Sequence, residues 1–205
     1  MKSTLTKDVL PDSVPRFWEW FADNQAALAM ASVPDSLVVE LEARLFAICK
    51  LDWEIGPGRN APNMLALSPR GDPGLLQLTR GIVAQAPPLS GWEFHPAKPP
   101  RTWNLVFTLE KADSRTEIDA KLWEFVLYKF RDGTFDLLLK PERNLALPED
   151  YLGWAAIIIA DGEIGEETRM ERISTLEVVN SWDDKSAKNA SKLEPGLLAK
   201  LMSLS

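Results

Sequence analysis

Apolar positions recur at helical spacing over residues 14–31. Val14, Phe17, Trp18, Phe21 and Leu28 fall on one face, with Ser13 as N-cap and Pro15 in the first turn. A second helical stripe runs over 33–49 through Leu37, Val38, Leu41, Leu45 and Ile48, with Cys49 beside it; Ser32-Val33-Pro34-Asp35 is a capping-box-like start. Strands are predicted at Leu51–Ile55 and Met64–Ser68, joined by the turn formers Gly56-Pro57-Gly58-Arg59-Asn60-Ala61-Pro62. Asp72-Pro73 opens a third helix striped by Leu75, Leu76, Thr79, Ile82 and Val83, and Pro87-Pro88 ends it. Gly91–His95 reads as a strand. Trp103–Leu109 alternates, with Trp103, Leu105, Phe107 and Leu109 on one face. Residues 122–130 and 134–140 form a hairpin around Asp132-Gly133, read as a two-residue turn of type I′. A helix over 149–161, a strand over 170–179, a polar stretch Asp183–Ser191 and a stripe of Leu193, Leu197, Leu198 and Leu201 complete the chain.

This order predicts an α+β fold, with a mainly antiparallel sheet and helices packed on one face. It also contains a candidate internal repeat. Residues 51–98 and 122–179 both read strand, strand, helix, strand; either two such units share one antiparallel sheet, or the match is accidental, since hairpin-plus-helix is common. Residues 1–181 are read as a single domain. Residues 182–205 are read as a polar exit and a short helix that either docks elsewhere or packs on its own domain.

Leu51-Asp-Trp-Glu-Ile-Gly-Pro57, Ala86-Pro-Pro-Leu-Ser-Gly-Trp-Glu-Phe-His-Pro-Ala-Lys-Pro99 and the aromatic helix Phe17-Trp18-Glu19-Trp20-Phe21 carry a resemblance over about 14–110. The chain resembles there an uncharacterised bacterial domain-of-unknown-function family. The resemblance implies a bacterial cytosolic protein and transfers no functional residue.

The 205 residues are 45% apolar and 26% charged, enough for a sizeable core. One cysteine, Cys49, permits no disulfide within the chain and favours a reducing compartment. The start Met-Lys-Ser-Thr-Leu-Thr-Lys-Asp lacks the apolar run of a signal peptide. The longest dense apolar run, Ala155 to Ala160, is far short of the ~20 residues of a membrane span. The expectation is a cytoplasmic protein with no membrane partner. The net charge of −7 argues against nucleic acid, whose binders need bases to displace phosphate counterions. That charge is concentrated. Between Glu142 and Asp184 eleven acids face three bases, a net −8, whereas the rest of the chain has 20 bases and 19 acids, a net +1.

Few chemistries are equipped. A triad or Cys-His pair needs a base near neutral pH, and His95 is the one histidine. Cys49 lies on an apolar stripe, where a thiol is inert. No Gly-rich phosphate cradle is present, and Pro57 removes a donor from Gly56-Pro57-Gly58. One Cys and one His cannot supply the four ligands of a zinc site. Asp161, Glu163, Glu166 and Glu167, with Gly162 and Gly165 between them, read as an acidic loop: solvated, or able to hold a hard cation. Glu54, Glu93 and Glu124 each neighbour a tryptophan on a strand, as in sugar clefts, but alternation alone puts Trp inward and Glu outward. Lys98-Pro-Pro-Arg101-Thr-Trp103 is the one basic-aromatic cluster, too small for nucleic acid.

Of the eight tryptophans, Trp20 lies off its stripe and Trp182 lies in the polar exit, so both are surface candidates. The expected binding residues are Trp20, Glu149, Asp150, Asp161, Glu163, Glu166, Glu167 and Trp182, with no cofactor. The expected function is a non-catalytic module that binds a basic protein, an immunity protein against a basic toxin being one form. The alternative is a carboxylate-dependent hydrolase with a divalent metal at Asp161–Glu167.

Overall fold

A computed structural model describes residues 12–111, 114–142, 148–182 and 185–203. The fold is α+β. The chain divides into two compact units, the first ending at Lys98 and the second beginning at Pro99.

The first unit runs α1 (Ser13–Leu28), α2 (Asp35–Phe46), β1 (Asp52–Gly56), β2 (Asn63–Ser68), α3 (Pro73–Val83) and β3 (Trp92–His95). The sheet order is β1-β2-β3, with β1 antiparallel and β3 parallel to β2. The central strand is apolar from Met64 to Leu67, and Met64 to Ser68 are all buried. Asp72 caps α3 by accepting the N–H groups of Gly74 (2.7 Å) and Leu75 (3.1 Å), leaving Pro73 where no N–H is needed. The core is aromatic. Trp18 and Phe21 of α1 meet Phe94 of β3 edge-on at 4.8 and 5.5 Å, and the buried Trp18 indole donates to the Ile82 carbonyl at 2.9 Å.

The second unit runs β4 (Val106–Lys111), β5 (Ser114–Asp119), β6 (Glu124–Lys129), β7 (Phe135–Lys140), α4 (Glu149–Ile164), α5 (Glu166–Arg172), β8 (Ile173–Val178), β9 (Lys188–Asn189) and α6 (Pro195–Ser203). β4 and β5 form an antiparallel pair, and a second sheet has the order β8-β7-β6-β9. Along β7 the burial alternates, with Phe135, Leu137 and Leu139 fully buried. They share a core with Ala155, Ala156, Ile159, Ala160 and Ile164 of α4. Among the described residues no helix is long and apolar enough to cross a membrane.

Both units repeat one connection. In β1-β2-α3-β3 and in β6-β7-α4-α5-β8, two strands pair antiparallel and the third returns through helix to lie parallel beside the second. They do so in separate sheets and separate cores, in place of the one shared sheet read from sequence.

Other expectations change locally. The strand expected from Trp103 begins at Val106, because Leu105 stands at φ 60° in the left-handed region and breaks the extended run. Its partner β5 has one strongly apolar residue, Ile118, and shows no apolar alternation. The hairpin turn is one residue longer than type I′. The Gly133 N–H reaches the Phe130 carbonyl (3.2 Å), the Phe130 N–H reaches the Thr134 carbonyl (2.9 Å), and Gly133 alone has positive φ, as a type I turn with a glycine bulge requires. The strand expected over 170–179 starts at Ile173, after α5. The final segment belongs to its own unit. Leu193 and Leu198 are buried in the second core, with Leu197 and Leu201 packed against it.

Candidate functional site

The acidic segment is folded into helix, not a loop. α4 continues to Ile164, so Asp161, Gly162 and Glu163 are its last turn, and α5 begins at Glu166. Between them Gly165 holds φ 85°, a left-handed value suited to glycine. The Asp161 carboxylate is paired with Arg169 of α5, through Nε at short range and through Nη2 at 3.4 Å, and both side chains are mostly buried. Glu166 is 2% exposed and Glu167 is half-buried. This segment is therefore partly interior. Among the described residues no group of three His, Cys, Asp or Glu is placed to hold a metal ion.

The first residues of the second unit lie across this helix end. The Arg101 N–H donates to the Gly162 carbonyl at 2.7 Å. The Trp103 ring rests on Gly162, where a Cβ would collide with it, standing 2.7 Å from Cε2. Pro100 rests on Gly165, whose Cβ would lie 2.9 Å from the proline Cδ. The Trp103 indole N–H donates to Glu163 Oε1 at 2.7 Å. The strap, residues 99–105, ends at the left-handed Leu105, a conformation that costs a non-glycine residue about 1–2 kcal/mol. Two features of the second unit that are distant in sequence, Pro100–Trp103 and Asp161–Gly165, thus form one site.

Burial pushes the Glu163 carboxyl above the usual carboxylate range, and the Trp103 N–H pulls it back in part. The sequence alone offered no sign of this, because the partner is 60 residues away. The indole occupies one of the carboxyl oxygens.

The other predicted residues separate. Trp20 is 8% exposed and not a surface residue. It lies on the flank of the α1 stripe, and α2 covers that flank, with the Arg44 guanidinium 4.8 Å above the ring. Trp182 is half-buried beneath the Lys140 ammonium at 5.2 Å. Glu149 and Asp150 are the first residues of α4, and their side chains, like Asp183 and Asp184 entirely, lie outside the described residues.

Sequence reasoning missed the outward face of α4. Trp154 is 52% exposed and Ile157, one turn on, is 41% exposed. Tyr151-Leu-Gly-Trp-Ala-Ala-Ile-Ile-Ile-Ala160 is apolar all round, so periodicity marks no face. The residue sizes do. Ala155, Ala156 and Ala160 let the helix lie close to the sheet, leaving the large Trp154 outside.

In the first unit, Glu93 is turned into the loop before β2. Its carboxylate accepts the N–H groups of Arg59 (2.7 Å) and Asn60 (2.9 Å) and meets His95 Nε2 at 3.0 Å. Burial alone raises its pKa, but these donors outweigh it and bring it to about 2. The pair closes the loop, and His95 is half-exposed beside it.

Comparison with protein-family models, with curated proteins and with solved structures gives no match to this chain.

Proposed function

We propose that the protein is a non-catalytic binding module whose partner is a basic protein, captured on the outward face of α4 and the acids around it. The observation that carries this reading is the exposed Trp154–Ile157 pair on the helix whose Ala155, Ala156, Ile159 and Ala160 are buried, within the segment that holds a net −8. An exposed Trp beside an aliphatic residue is the composition of an interface hot spot. The exposed Glu142, Glu171 and Glu177 belong to the same acidic segment. Charge of one sign there speeds encounter with an oppositely charged partner and rejects like-charged ones. An immunity protein that neutralises a basic toxin is one form of such a module, by analogy of size and charge alone.

The test is affinity capture with wild type and with the Trp154→Ala/Ile157→Ser variant at low and high salt, followed by titration of the purified captured protein. Wild type retains a basic protein at low salt. The variant loses binding by at least about 2 kcal/mol, roughly thirtyfold, while its folding stability stays within about 0.5 kcal/mol of wild type. Capture indifferent to both salt and variant overturns the reading.

A further inference from the structure

The strap on α4 carries an ionisable group where a packing contact needs none. Glu163 stands in the last turn of α4, a helix end with a partial negative charge and no base in that turn. The charged residues that the strap, α4 and α5 bring next to it in the chain or across the Arg101–Gly162 bond are Arg101, Asp161, Glu166, Glu167 and Arg169. Arg169 is paired with Asp161, and the hydrogen bond to Glu163 comes from the neutral Trp103 indole. With the strap closed, an ionised Glu163 therefore loses water, faces the negative helix end and has acidic neighbours in sequence. With the strap lifted, water solvates it.

We propose that residues 99–105 form a proton-sensitive latch on α4, closed when Glu163 is protonated and loosened when it ionises. The supports are the strap's contacts with Gly162 and Gly165 on either side of a half-buried Glu163 at the negative end of the helix; the Trp103 bond offsets the coupling in part. The upward direction of the Glu163 pKa has the sign this coupling requires. A raised carboxyl stabilises the closed strap fully below the ordinary glutamate range, and that stabilisation is lost as pH rises through the closed-state value. The left-handed Leu105 terminates the strap with a strained residue, a feature of elements held by their surroundings. The latch stands independently of the binding reading, since it uses the opposite end of α4 from Trp154 and needs no partner.

The Arg101 amide reports closure, because it is bonded to the Gly162 carbonyl. Its hydrogen-exchange protection factor, corrected for intrinsic pH dependence, is measured across a pH series that begins at the ordinary glutamate range and runs upward from it, the direction in which burial moves the carboxyl. The Ala190 amide, bonded to the Trp123 carbonyl at 2.7 Å, is the control in the same unit. In wild type, Arg101 protection falls with rising pH, by up to about tenfold for each unit separating the closed and open pKa values of Glu163, and Ala190 protection does not. In Glu163→Gln, Arg101 protection is flat. A flat wild-type profile, or a fall equal in Glu163→Gln, overturns the proposal. Should that variant not fold, carbon NMR titration of Glu163 in wild type decides. A midpoint within about one pH unit of the loss of Arg101 protection supports the latch, and a larger separation overturns it.

Discussion

Glu93 shows how one carboxylate holds a loop. Its oxygens take the backbone N–H groups of Arg59 and Asn60, and a hydrogen bond to a charged acceptor is stronger than one between neutral groups. Glu93→Gln keeps the size but weakens both bonds, and a loss of about 1–3 kcal/mol in chemical denaturation is expected. The pH dependence has a definite sign. The folded pKa of about 2 lies below the ordinary 4.5, so the stabilisation is present above 4.5 and lost as pH falls toward 2. Wild type should therefore lose stability over that acid range, and Glu93→Gln should lose less. Alternation along β3 foretold that Trp92 turns in and Glu93 turns the other way. It held no information about the loop waiting there, because Arg59 and Asn60 lie 34 and 33 residues earlier. Trp20 failed for a related reason. A helical wheel ranks residues against one covered face, and α1 is covered by α2 as well as by its sheet.

At the scale of elements, α4 depends on its two glycines. Gly162→Ala would drive a methyl into the Trp103 ring, and Gly165→Ala would meet both Pro100 and the left-handed backbone. Each is expected to cost about 1–3 kcal/mol by overpacking or strain, although alanine favours helices in general. Gly153→Ala, where a Cβ meets nothing within 4 Å, is the control and should stabilise slightly. Thermal denaturation of the three variants checks the ranking. Elements with local signals were legible: the Asp72-Pro73 cap, the α1 stripe and the β7 alternation are all written within a few residues. α4 has no polar face to orient it, and β5 is mostly polar because pairing with β4, not burial of both faces, holds it. The acidic loop was misread because Asp161 finds its cation eight residues on, across the turn at Gly165.

For the whole molecule, two cores matter more than the single sheet anticipated. Val14 to Trp92 and Leu105 to Leu198 form separate clusters of buried residues. Each grows around the same strand-strand-helix-strand connection, which the order of elements along the chain already displayed. Separate cores allow departure from two-state unfolding. Denaturant titration is expected to resolve two transitions. Leu65→Ala should weaken one and Leu137→Ala the other, each by about 2–5 kcal/mol, and a single transition shifted alike by both would refute this. The charge follows the same division only in part: a net −8 within 142–184 belongs to the second unit, yet folding draws Asp161 and Glu166 inward. Sequence counts charges, and only packing decides which of them remain outside.

The exposure of Trp154 has an optical consequence. An indole in water emits at longer wavelength than one in hydrocarbon and is open to collisional quenchers such as iodide. Trp18, Trp20, Trp92 and Trp123 are buried, and Trp53, Trp103 and Trp182 are half-buried. The red, quenchable edge of the emission is therefore dominated by one residue on the outward face of α4. The molecule carries its own unlabelled fluorescent reporter on the face proposed to bind a partner.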